Sequence, residues 1–120
     1  MKISPAKGLD GDLIGALIEA LGVDEFLSLA ERALRQANEG WRQWRGDGGE
    51  VLEADARRSL AHRLKGSVAA VGLKSLAAEF ARLEAGIAQG GKEDPWVRQA
   101  MEASLDEAEL FLKNLASHPA

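Results

Sequence analysis

The segment Ala61-His62-Arg63-Leu64-Lys65-Gly66-Ser67 is where this sequence concentrates reactive groups. A neutral imidazole is a good nucleophile near neutral pH, so the surroundings of His62 decide what it can do. At about 100° per residue along a helix, Leu60, Leu64, Val68 and Val71 fall on the side opposite His62. Arg58, Ser59, Lys65, Gly66 and Ala69 lie within roughly 60° of it. The histidine is therefore turned away from the apolar stripe, with a cation one turn along and small residues beside it. That arrangement suits chemistry on an approaching group better than core packing. Ser67, about 140° from His62, is as well explained by a local structural role as by a contact with that group.

Gly66 calls for a reason, because a glycine inside a helical turn costs ~1 kcal/mol relative to alanine. Either the surface beside His62 is kept bare for another protein or group, or a neighbouring helix comes close there. Its position away from the core stripe favours the first account. The charges point the same way. Between Ala56 and Ala78 no residue is acidic, whereas Arg57, Arg58, Arg63, Lys65 and Lys74 are basic. Such a run is either a solvated face or a site that meets an anion, and its coincidence with His62 and Gly66 favours the anion.

The elements that must position these residues are helices. Tyrosine is absent, β-branched residues are sparse, and alanine and leucine dominate. Leu13, Ile14, Leu17, Ile18 and Leu21 repeat at helical spacing up to Gly22, which predicts a short helix over 10–21. With Asp24 as its N-cap, a longer helix over 24–45 carries the stripe Phe26, Ala30, Ala33, Ala37, Trp41 and Trp44, ended by Gly46, Gly48 and Gly49. The helix bearing His62 is expected over 52–71, with Gly72 as its C-cap glycine. Leu73, Leu76, Phe80, Leu83 and Ile87 mark a helix over 73–89, ended by Gly90 and Gly91. Asp94 and Pro95 then start a last helix over 95–116, with Val97, Met101, Leu105, Ala108, Leu112 and Leu115 on one side. Short joints at Gly72 and at Gly90-Gly91 imply antiparallel neighbours. The expected fold is all-α, an antiparallel four-helix bundle with a short additional N-terminal helix. Trp41, Trp44 and Trp96 read as bundle core or end-caps, and His118 as part of an unstructured tail.

Composition bounds the function. A chain of 120 residues, 46% apolar, holds one domain spanning 1–120 with a real core. Fifteen Lys+Arg against 19 Asp+Glu give a net charge of −4, which argues against general nucleic-acid binding. No apolar run approaches the ~18 residues of a membrane span, and the first residues lack the apolar region of a signal peptide. Without cysteine there is no disulfide framework, thiol chemistry or zinc finger, which suits a reducing cytoplasm. Two histidines exclude a multi-histidine metal site.

The segment His62-Arg63-Leu64-Lys65-Gly66-Ser67-Val68-Ala69-Ala70-Val71-Gly72 resembles the histidine-containing phosphotransfer (HPt) domains of bacterial, plant and fungal phosphorelays. In that family a helical His is followed by x-x-Lys-Gly-Ser, small residues and a helix-ending Gly, and the likeness here extends over roughly 26–115. Val68 stands where Ala or Ser is more usual and lies on the core stripe. The family presents a Gln or Glu 22 residues after the histidine. Here that is Glu84, which is more similar to the phosphotransfer domains of chemotaxis kinases.

The resemblance implies that His62 is the phosphoacceptor through Nε2, that Glu84 accepts a hydrogen bond from Nδ1–H, and that Lys65 offsets the phosphoryl charge. Arg58 and Arg63 would help at longer range and lie, with Gly66, Ala69 and Ser67, on the access and partner surface, and Leu13, Ile14 and Leu17 are candidates for an apolar rim. It implies a monomeric, cytoplasmic carrier rather than an enzyme: no nucleotide-binding loop and no Asp/Asn set for Mg²⁺ is present. The chain needs no cofactor of its own, Mg²⁺ belonging to the partner. The partners implied are a response-regulator receiver domain, a sensor histidine kinase, or both, with no nucleic acid and no membrane. A free-standing protein and a domain of a larger kinase fit equally. From other classes, a helical interaction module using the same face without phosphorylation, or a structural bundle, would share these features.

Overall fold

Glycines and one aspartate set the ends of the early helices. The computed structural model describes residues 8–49, 51–88 and 95–117. In chain order these form α1 (Gly11–Leu21), α2 (Val23–Arg45), α3 (Ala54–Ala69), α4 (Lys74–Ala88) and α5 (Pro95–Ser117), with no strand among the described residues. Helices α2 to α5 make an antiparallel four-helix bundle, in which α2 and α4 each pack against both α3 and α5. The short additional helix α1 packs on α2.

Asp10 caps α1 by accepting the Leu13 backbone N–H at 3.1 Å. Gly22, at φ +87°, both ends α1 and caps α2. Helix α2 therefore starts at Val23, and Asp24 is a first-turn acid rather than the expected N-cap. It still complements the positive end of the helix dipole there. Gly46, in the left-handed conformation, ends α2.

Helix α3 is two residues shorter at each end than its periodicity predicts. Its C-terminus is unwound by a paired capping motif: Leu73 N–H donates to the Val68 carbonyl at 3.0 Å, and Gly72 N–H to the Ala69 carbonyl at 3.1 Å. Gly72 takes φ +82° to allow it. Val71 is buried, but in this turn rather than on α3. The N-terminal segment is tied across the same turn, since Asp10 N–H donates to the Gly72 carbonyl at 2.9 Å and Ser75 N–H to the Gly8 carbonyl at 2.8 Å. Ile14 is fully buried against Gly72 and cannot belong to an exposed apolar rim; Leu13 and Leu17 are half-buried.

The core runs the length of the bundle through Phe26, Ala30, Ala37, Val68, Leu76, Phe80 and Met101, all fully buried. At the Gly46 end Trp41 and Trp44 are buried and stacked with ring centroids 5.8 Å apart. The guanidinium groups of Arg45 and Arg57 lie over the Trp41 and Trp44 rings at 5.1 and 4.8 Å. Trp96 differs from its expected core or end-cap role: it stands off the α5 stripe and is 74% exposed. Gly90, Gly91, Asp94 and His118 lie outside the described residues.

Candidate functional site

Leu73 closes the turn between α3 and α4, and this register decides which residues face each other. His62 stands eleven residues before Leu73 and Glu84 eleven after it, so two antiparallel helices folded about that turn bring them level. The His62 Nδ1 is 2.7 Å from Glu84 Oε2. Lys65, one turn along α3 from His62, places its Nζ 2.8 Å from the other carboxylate oxygen, Glu84 Oε1. One carboxylate thus carries both α3 side chains.

The electrostatics follow from that bridge. The hydrogen bond from Lys65, and after it the one from His62, hold the Glu84 carboxyl below its ordinary value of 4.5, against a partial desolvation that pushes it up. Glu84 is ionised at neutral pH and can only accept. In neutral His62 the proton therefore sits on Nδ1, and the lone pair on Nε2. That nitrogen makes no hydrogen bond among the described residues, and the side chain is 68% exposed. The ring is thus held at one nitrogen and open at the other.

Gly66 settles one of its two accounts by geometry. A Cβ built there meets nothing within 4 Å, so no neighbouring helix requires the glycine. Gly40 is the opposite case. A Cβ on this buried α2 position would collide with Leu64 Cδ1, so this glycine is what lets α3 pack close to α2. Sequence reasoning passed over it because nothing local marks which glycine meets a neighbour.

The basic stretch does not form one patch. Arg57 is turned onto Trp44, Arg58 pairs with Asp55 at 3.0 Å, and Lys65 is held by Glu84. Lys74 begins α4, far along the hairpin from Glu84. Arg63 remains on the exposed face of α3 with no ion pair or hydrogen bond among the described residues. Ser67 lies apart from the histidine cluster, its Oγ 3.5 Å from Gln36 Oε1 on α2. Ala69 is exposed on the His62 side of α3. Gln36 and Asp55 are neighbours that the sequence alone does not connect to this region. No group of three or more His, Cys, Asp or Glu side chains that could hold a metal ion occurs among the described residues. No described helix is long and apolar enough to cross a membrane.

Among the described residues, one histidine is exposed on this all-α bundle, and it is buttressed from the next helix by an ionised carboxylate. A family model for the Hpt domain matches residues 22–117, and the chain belongs to that family. Hpt domains are helical phosphocarriers of two-component signalling that interact with receiver domains and kinases. The match begins at Gly22, so α1 precedes it. No curated protein and no solved structure matches the chain.

Proposed function

We propose that this protein carries a phosphoryl group on His62 between the phospho-aspartate of a receiver domain, or a histidine kinase, and a second receiver aspartate. The observation that carries the reading is the His62–Glu84 contact: it fixes the tautomer whose free nitrogen, Nε2, is the exposed one. In transfer from a phospho-aspartate, the Nε2 lone pair attacks phosphorus in line as the P–O bond to the carboxylate breaks, and the aspartate leaves as its anion. Positive charge develops on the ring as the N–P bond forms, and the Glu84 carboxylate on Nδ1–H stabilises it. The return step reverses these bonds.

Lys65 supports the reading in two ways. It keeps Glu84 ionised and oriented through the 2.8 Å contact, and its ammonium lies one turn from the imidazole, where it offsets phosphoryl charge. Arg58, bound to Asp55, contributes at longer range only. Gly66 and Ala69 leave the face beside His62 low enough for a partner to reach Nε2. Nucleotide and Mg²⁺ are assigned to the partners, and the chain acts as a cytoplasmic, monomeric carrier rather than a turnover enzyme.

The test is a time course with a receiver domain phosphorylated on its aspartate. The label should move to the wild-type protein and not to His62→Gln, with the variant's helicity and melting unchanged. Retention of transfer in His62→Gln would remove His62 from the mechanism. No transfer with several receivers and kinases would leave the unphosphorylated interaction module as the better account.

A further inference from the structure

The groove between α2 and α5 lies across the bundle from His62 and Glu84, which meet on α3 and α4. It has a volume of about 440 Å³, with Leu34 and Leu112 in its buried floor and charged side chains on its walls. Glu31, Arg35, Glu39 and Arg42 come from α2, Glu109 and Lys113 from α5, and all six are exposed. Lys113 pairs with Glu109 at 3.4 Å along α5. None of the four α2 charges is in an ion pair among the described residues. Glu31 and Arg35 have the spacing at which a helix pairs its own charges, yet they stay apart.

The wall charges alternate about a centre. On α2, Glu31 and Arg42 are equidistant from the point between Gln36 and Ala37, and Arg35 and Glu39 flank Ala37 equally. On α5, Glu109 and Lys113 flank Phe111 equally. Arg45 reaches Glu102 at 3.7 Å between these two antiparallel helices. Gln36 stands nine residues before Arg45 and Phe111 nine after Glu102, so the two centres are level. A half-turn about an axis lying in the groove face at that level, at right angles to the helices, reverses both helices. It sets every acid against a base: Glu31 against Arg42, Arg35 against Glu39, and Glu109 against Lys113. A surface that complements its own two-fold image selects a second copy of itself.

We propose that a second copy of this chain docks on the α2–α5 groove as a two-fold pair, α2 antiparallel to α2 and α5 antiparallel to α5. The wall charges span about 16 Å of α2 and the face is two helices wide, short of the ~800 Å² per partner of a permanent interface. Pairing is therefore weak and set by concentration, and dilute protein is the single-chain carrier. His62 and Glu84 face outward in both copies, so the pairing goes beyond the phosphorelay reading and does not rest on it.

The experiment is sedimentation of the whole chain from about 10 μM to about 1 mM, at low and high salt. Wild type should move from monomer toward dimer as concentration rises, less so at high salt. Arg35→Glu sets acid against acid twice in the pair, and Glu39→Arg sets base against base twice, so each alone should weaken association about tenfold. Mixed one to one, the two variants should associate at least as well as wild type, because each supplies the charge the other lacks. Lys74→Glu changes the net charge as Arg35→Glu does, but on α4, and should pair as wild type does. Circular dichroism and His62 loading by the small phosphodonor phosphoramidate should be alike in all forms, since the substituted side chains are exposed and lie away from His62. A wild type that stays monomeric up to about 1 mM, single variants that pair as wild type does, or a mixture that stays apart while wild type pairs would each overturn the proposal.

Discussion

His62 Nδ1 and Glu84 Oε2 lie 2.7 Å apart across two helices, each residue eleven positions from Leu73 in the turn that joins them. The spacing of 22 residues between histidine and carboxylate is thus a property of the hairpin. Inserting or deleting a residue in the turn would rotate one partner out of reach, because each residue turns a helix by about 100°.

Replacing Glu84 tests what the contact does. In Glu84→Ala the imidazole loses the acceptor that selects its tautomer, so nitrogen NMR should show a raised share of the Nε2–H form. Transfer should slow by about tenfold, within the range for groups that orient a catalytic side chain. Glu84→Gln, which still accepts through its amide oxygen, should keep most of the tautomer preference. An unaltered spectrum in Glu84→Ala would contradict the hydrogen bond.

The lowered Glu84 pKa sets a pH window. Its bridge is fully formed above the ordinary value of 4.5, and its contribution is lost as pH falls through the lowered folded-state value. Thermal stability assigned to the bridge should therefore be flat from neutral pH down to about 4.5, decline below it, and be spent once pH has passed the lowered folded-state value. In Lys65→Met the decline should be smaller and should finish at higher pH, since Lys65 is the larger cause of the shift. The difference between the two melting curves against pH is the measurement, and superimposable curves would contradict the assignment.

Two glycine substitutions should have opposite signs. Gly66→Ala adds a methyl to open space on α3 and should raise stability by up to about 1 kcal/mol in urea unfolding. It should also slow transfer from a receiver, because the added bulk stands beside His62. Gly40→Ala drives a methyl into Leu64 and should lower stability by about 1–3 kcal/mol, net of any gain in helix propensity.

Trp44 ties the far end of the bundle together through its stack on Trp41 and the Arg57 guanidinium above it. Trp44→Ala should cost about 3–5 kcal/mol in chemical unfolding. Phosphoramidate loading of the molecules that remain folded should be little changed, since the site lies elsewhere on α3. A loss below 1 kcal/mol would contradict the packing described.

The helices and their order were legible because each carries one apolar stripe and most end at a glycine. Gly22, Gly46 and Gly72 all take positive φ at helix ends. The face of α3 that carries His62 followed from the wheel alone. What the wheel lacks is the identity of the neighbour at each angle. The wheel puts Lys65 one turn from His62 but does not show that it bonds Glu84; Arg57 counts as part of a basic stretch, yet it covers Trp44. Ile14 and Leu13 are adjacent in sequence and similar in type, but only Ile14 meets the Gly72 turn and is fully buried. Asp24 lost the capping role because Gly22 already turns the chain into α2. Each of these outcomes is set by a contact between segments distant in sequence.

The central claim is that Glu84 holds Nδ1 and leaves Nε2 to take the phosphoryl group. The direct measurement is nitrogen–phosphorus coupling in NMR of the ¹⁵N-labelled protein after transfer from a phosphorylated receiver, with intact mass confirming a single adduct. The account predicts one phosphoryl group on His62 Nε2, labile in acid, stable in base and absent from His62→Gln. A phosphoryl group on Nδ1, or on a serine hydroxyl, would contradict it.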